Sequence, residues 1–215
     1  VAVVANVAAD RRHDGTAYER FTPVGPLALL PLADGSYTVV WALAPDAAER
    51  ARALPGPEFL AELQRRFGWR AGRFVRVGTR AAYPLALTRS DATHAERLVL
   101  IGNAAQSLHP VAAQGVNLGL RDAAPLAEVL GAARAQGEDV GSDAVLNRFV
   151  AARDADRRGV IQFTDGLVKL FRNDRPGMGL LRDLGLLLFD LTPPAKRVLS
   201  RVSWGFAGRL PRLAR

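Results

Sequence analysis

A four-residue apolar run, 98–101, passes without a break into Gly102, Asn103, Ala104 and Ala105. A polar loop then ends at Gln114 and Gly115, where a helix-forming stretch begins. Few arrangements satisfy that order. A strand apolar on both faces has to be covered. Gly102 stops it where a missing side chain lets a ligand approach the backbone. A helix starting near Gly115 aims its free N–H groups at the same place and favours anionic or electron-rich groups there. Asn103 stands at the carboxyl end of the strand, the usual ligand position in an α/β sheet, and its amide can hydrogen-bond hydroxyls. Pro110 fixes the turn between them. The same pattern also describes a plain strand–loop–helix crossover without a ligand.

Composition narrows the chemistry. The 215 residues are 49% hydrophobic, enough for a buried core, which excludes a disordered tail or a fibrous repeat. Without cysteine there is no disulfide, thiolate zinc site, iron–sulfur cluster or cysteine nucleophile, and the chain suits a reducing compartment. His13, His94 and His109 never approach H-x-x-x-H spacing, so no metal site is expected. Ser107 and His109, two apart in a loop, make a poor nucleophile–base pair. The net charge of +8 comes almost wholly from arginine, with Lys169 and Lys196 the two exceptions, as a GC-rich genome would produce. Aromatic residues are not interleaved with the arginines as stacking platforms, so nucleic acid is not an expected partner. No apolar run is long enough to span a bilayer.

Along the chain, residues 1–90 read as a sheet with two short helices. Strands are expected at 1–7, 18–24, 27–32, 37–43 and 74–79, with Asp34-Gly35 turning a hairpin. Both alternating sets of 37–43 are mostly apolar, which predicts a strand covered on both faces. Helices are expected from Pro45 to about Leu54 and again through Phe59, Leu60, Leu63 and Phe67 to a stop at Gly68. Residues 91–136 hold the strand, loop and helix that end and restart around Gly102 and Gly115. Residues 137–215 form a helical carboxyl-terminal region, with helices near 143–172, 178–191 and 195–206. The acids Asp154 and Asp156 among Arg153, Arg157 and Arg158 read as a solvated ion-pair face.

The stretch from Leu98 to Asp122 resembles the second flavin motif of the FAD-dependent aromatic-ring hydroxylases, G-D-A-A-H…P…G-Q-G-x-N-x-G…D. Its variant, Gly102-Asn103-Ala104-Ala105-Gln106 with His109-Pro110, is similar to the 2-polyprenyl-6-methoxyphenol hydroxylases of ubiquinone biosynthesis. Residues 18–32, 67–69, 82–88 and 164–167 resemble that family too. The resemblance implies an α+β fold, the carboxyl-terminal part of a para-hydroxybenzoate-hydroxylase-like flavoprotein. Its parts would be a mixed-sheet substrate domain, the strand–loop–helix of the FAD domain, and carboxyl-terminal helices.

It implies FAD as cofactor, NAD(P)H as reductant, and molecular oxygen and a polyprenyl phenol as substrates. The ring would be hydroxylated through a flavin C4a-hydroperoxide. Asn103 then stands where an aspartate usually holds the ribityl hydroxyls. Gln114, Gly115, Val116 and Asn117 fall against the pyrimidine edge, and Pro110 borders the space between flavin and substrate. Ala113 departs from the usual glycine. This chemistry needs no acid–base residue within the motif, and the sequence points to no catalytic residue. Tyr18, Phe21 and Tyr83 line an aromatic substrate pocket or, equally, pack within the sheet.

The family's G-x-G-x-x-G strand–helix, which holds the ADP half of FAD, has no counterpart among these residues, and Val1 opens directly into an apolar run. The expectation is the carboxyl-terminal half to two-thirds of a longer enzyme. The alternative is a non-catalytic scaffold working with other ubiquinone-biosynthesis proteins. A lipid-borne substrate further implies a cytoplasmic protein in peripheral contact with the inner membrane. If 195–206 is helical, Ala195, Val198, Leu199, Val202 and Phe206 share a face. That face either lies on lipid or packs on the leucines of 180–191.

Overall fold

The computed structural model describes residues 1–108, 114–173 and 175–203. They divide into two compact units, Val1–Leu85 with the short stretch that begins at Phe171, and Ala86–Leu170 with the chain from Arg175 on.

The first unit is a five-stranded sheet with two helices. Its strands are β1 (Ala2–Ala9), β2 (Tyr18–Phe21), β3 (Pro26–Pro31), β4 (Tyr37–Ala42) and β5 (Phe74–Tyr83), in the order β2-β3-β4-β1-β5. Each pairing is antiparallel, so the sheet is not the mixed one expected. The reason lies in the connections: β2, β3 and β4 succeed one another through tight turns, which only antiparallel neighbours allow. Asp34 accepts hydrogen bonds from the backbone and hydroxyl of Ser36, and Gly35 takes φ +90°, closing the β3–β4 turn as Asp-Gly predicts. Alternation sends Val3, Ala5 and Val7 of β1, Leu27 and Leu29 of β3, and Tyr37, Val39 and Trp41 of β4 to one face. The other face of β4, Thr38 and Val40, is only half-buried, so its double coverage is incomplete among the described residues.

Helices α1 (Pro45–Ala53) and α2 (Gly56–Phe67) lie close to the expected positions. Phe59, Leu63 and Phe67 enter the core on one stripe of α2, and Gly68 ends the helix at φ +87°. Gln64, on the same buried side, holds the return to β5. Its Nε2 donates to the carbonyls of Gly68 (2.7 Å) and Gly72 (3.0 Å), and its Oε1 accepts from Phe74 N–H (2.8 Å).

The second unit begins with two-residue ladders, β6 (Thr88–Arg89) with β9 (Gln106–Ser107) and β7 (His94–Ala95) with β8 (Leu98–Val99). Residues 98–101 depart from the buried strand that their sequence predicts: Leu98 is exposed and only 98–99 are paired. A run apolar on both faces needs strands on both sides to bury it; among the described residues its one neighbour is β7. Four helices come next: α3 (Gln114–Ala135), α4 (Asp143–Arg172), α5 (Met178–Asp190) and α6 (Pro193–Ser203). The Ser142 carbonyl accepts from Val145 and Leu146, beginning α4 at the expected N-cap. Of the described part of the α6 stripe, Ala195 is half-buried while Val198 stands in solvent, as do the leucines of α5; the side chain of Val202 lies outside the described residues. Phe206 lies outside the described residues. No described helix is long and apolar enough to cross a membrane.

Candidate cofactor site

Gly102 opens a three-residue 3-10 turn, Gly102–Ala104, at φ +59°, a backbone conformation that glycine reaches without strain. The Ala105 N–H donates back to the Gly102 carbonyl at 3.1 Å. Asn103, second in this turn, is exposed. Helix α3 runs past the turn, and a Cβ added at Gly119 would lie 3.4 Å from Gly102 Cα. Gly115, Gly119 and Asp122, spaced four and three residues apart, share one face of α3. That face therefore carries the contact with Gly102 one turn beyond Gly115. Among the described residues, a Cβ on Gly115 or Gly102 would meet nothing within 4 Å. Both glycines thus border open space, and the first turn of α3 has no acidic side chain to oppose its positive end.

Asp122 fastens this arrangement from below and is wholly buried. Its Oδ2 accepts from Gly102 N–H at 3.4 Å and Gln106 Nε2 at 3.3 Å. Its Oδ1 accepts from Arg153 Nε at 2.9 Å and Arg157 Nε at 3.1 Å. Arg157 also reaches the Leu100 carbonyl at 3.4 Å. Burial alone would raise the Asp122 pKa, but hydrogen bonds and charge from Arg157 and Arg153 outweigh it and hold the carboxyl below its ordinary 3.8. Asp156 extends the network, 2.8 Å from Arg121 and 2.7 Å from Arg153. Burial lowers the Arg121 guanidinium, against the opposing pull of Asp156.

Arg153 and Arg157 are accordingly not on a solvated face. They occupy the stripe of Phe149, Val160 and Thr164, all buried, while Asp154 and Arg158 do form an exposed pair. The missed signal is that register: 149, 153, 157, 160 and 164 recur at helical spacing, so the two arginines have to point with the phenylalanine.

Of the expected cofactor residues, Gly102, Asn103 and Gly115 gather at the turn and the start of α3. Gln114 begins that helix. Val116 is 75% exposed and Asn117 half-buried, both off the face that meets Gly102. Pro110, His109 and Ala113 lie outside the described residues. The three aromatic residues do not share a pocket wall in the first unit. Tyr18 packs on Tyr37 and Phe67, and Phe21 stacks on Phe171 at 4.0 Å. Tyr83 is exposed on β5, at the opposite edge of the sheet from β2.

Comparison with known proteins bears on the family and the fold. A family model described as FAD binding domain matches residues 2–164. The chain is 42% identical over 204 residues to ubiquinone hydroxylase UbiL of Rhodospirillum rubrum, covering 95% of this chain and 48% of that protein. It is 33% identical over 190 residues to the 3-demethoxyubiquinol 3-hydroxylase of Escherichia coli, covering 88% and 48%. Among solved structures, the anhydrotetracycline hydroxylase OxyS of Streptomyces rimosus superposes with a TM-score of 0.63 at 23% identity, over 98% of this chain and 41% of that one. PqsL of P. aeruginosa does so at 0.66 and 18% identity, over 84% and 50%. These two likenesses concern the fold, which is α+β and corresponds to 50% and 41% of those chains. The chain spans about half the length of the curated relatives it matches. It belongs to the FAD binding domain family, as a partial relative of the ubiquinone-biosynthesis hydroxylases.

Proposed function

We propose that this chain supplies the ribityl- and ring-side wall of an FAD site in a monooxygenase that hydroxylates a polyprenylated phenol of ubiquinone biosynthesis. The observation that carries the reading is the open space bordered by Gly102 and Gly115, with Asn103 exposed beside it. A flattened, polar cofactor needs backbone it can touch, and two glycines without side-chain neighbours provide it. Bound flavin, reduced by NAD(P)H, would supply oxygen activation and transfer to an electron-rich ring.

This chain's part is to bind and orient. Asn103 hydrogen-bonds ribityl hydroxyls while carrying no charge. The α3 N-terminus, from Gln114 and Gly115, lends positive potential to the pyrimidine edge. Val116 and Asn117 stand in the same turn.

The test has two arms. FAD titration of the 215-residue chain, followed by flavin fluorescence, should saturate and weaken in Asn103→Leu. A chimera in which this chain replaces the matching half of the Rhodospirillum rubrum relative should hydroxylate that protein's substrate. Failure of both would overturn the reading.

A further inference from the structure

Helix α5 is built inside out. Its more sheltered side carries Met178, Gly179, Arg182 and Phe189, each half-buried, and Arg182 donates to the Leu170 carbonyl. Its solvent side carries Leu180, Leu181, Leu184, Leu187, Leu188 and Leu191, each 47–69% exposed. At helical spacing these six fall within roughly a third of the circumference. Asp183 and Asp190 lie outside that arc. An ordinary surface helix shows the reverse, with leucine inward and charge outward.

The chain beyond α5 is basic. Helix α6 presents Lys196, Arg197 and Arg201 to solvent, and no acidic residue occurs from Pro193 to the last residue. Lys196 is paired with Asp190 at 2.5 Å, whereas Arg197 and Arg201 sit on exposed surface. Val198 adds to the exposed apolar area at 62%.

From this we infer that α5 and α6 form a docking surface for an anionic phospholipid bilayer, with the leucine arc of α5 in the acyl region and the α6 arginines at the headgroups. The choice of lipid over a protein partner rests on two observations. The arc offers six leucines and no hydrogen-bonding side chain, which suits hydrocarbon and gives a protein nothing polar to register against. The solvent-facing charge of α6 has one sign, complementary to an anionic headgroup layer, while Asp183 and Asp190 of α5 lie outside the leucine arc. It deepens the proposed function, since a polyprenylated substrate is found in lipid, but the surface is defined without reference to flavin.

The absence of cysteine makes a direct test simple. In the 215-residue chain, Leu187→Cys is labelled with an environment-sensitive fluorophore and mixed with phosphatidylglycerol/phosphatidylethanolamine vesicles, without FAD or phenol. The expected result is a blue-shifted, brighter emission, little of it on pure phosphatidylcholine, and much reduced by high salt. Leu184→Gln combined with Leu188→Gln, both solvent positions, should lower vesicle co-sedimentation at least tenfold with an unchanged circular dichroism spectrum. Arg197→Gln combined with Arg201→Gln should lower it several-fold and remove its salt dependence. No emission change on anionic vesicles, or equal co-sedimentation of the leucine variant, overturns the inference. So does a leucine-dependent dimer, seen by sedimentation velocity, that leaves the chain off vesicles. None of these outcomes bears on FAD titration, so the flavin reading stands or falls separately.

Discussion

Arg153 reaches Asp122 from the neighbouring helix at 2.9 Å, and both side chains are almost wholly removed from water. Two guanidinium groups converge on this one carboxylate, because Arg157 lies 3.1 Å from its other oxygen. A pair of this kind gains little over an apolar substitute but costs much when broken from one side.

Asp122→Asn is therefore expected to destabilise the second unit by about 3–5 kcal/mol, because it leaves Arg157 buried without a counter-charge and Arg153 with Asp156 alone. Urea unfolding followed by circular dichroism measures it. A loss below about 1 kcal/mol would mean that water or a shifted arginine takes the place of the carboxylate.

The same carboxylate gives a pH dependence of defined sign. Its pKa is lower in the folded chain than its ordinary 3.8. Its contribution is then fully present above that ordinary value and is lost as pH falls below it through the depressed folded value. Thermal melts between pH 6 and pH 2.5 should show a fall in Tm beginning near pH 4. That fall should be smaller in Asp122→Asn, which has no proton to take up at this site.

Asn103 separates binding from folding. Because its side chain is exposed, Asn103→Leu should alter stability by no more than about 0.5 kcal/mol. Flavin affinity should drop by roughly 1–3 kcal/mol, the effect of leaving a buried hydroxyl of the cofactor unpaired. Unchanged affinity would make the residue a plain turn former.

Gly115→Val should likewise leave folding intact, since a Cβ there meets nothing within 4 Å among the described residues outside its own helix turn. Its expected effect is to block flavin, seen as loss of saturable fluorescence change. Gly102→Ala has the opposite profile. Space is open there too, but φ +59° costs an L residue about 1 kcal/mol, read in unfolding.

In the first unit, Gln64→Leu removes one acceptor and two donated hydrogen bonds from the Gly68–Phe74 return. Leaving the buried Phe74 N–H unpaired should cost about 1–3 kcal/mol, measurable by urea unfolding.

Much of the first unit is written locally in the sequence. Asp34-Gly35, the Pro45 helix start, the Phe59–Leu63–Phe67 stripe and the Gly68 stop each announce themselves within a few residues, and each is found in place. The departures share a cause. Whether 98–101 is buried depends on neighbouring strands, and a run of apolar side chains does not say which strands those are. Arg153 and Arg157 read as solvated when their charge is weighed above their register, although Asp122, 31 residues upstream of Arg153, is what makes their burial tolerable. At the candidate site, the Gly102–Asn103 turn and the Gly115 helix start are legible as a motif. The Gly119 approach that brings the two together is not.

The shortness of the β7–β8 ladder has a mechanical consequence for the Gly102 turn. A turn stitched into a long ladder takes its coordinates from the sheet and is as stiff as the sheet. This one is tethered to α3 through Asp122 and to α4 through Arg157 at the Leu100 carbonyl. It moves with a helix pair as well as with the short β6–β9 ladder at Gln106: sliding of α3 against α4 is transmitted to Asn103, with the ion pair as the coupling pin.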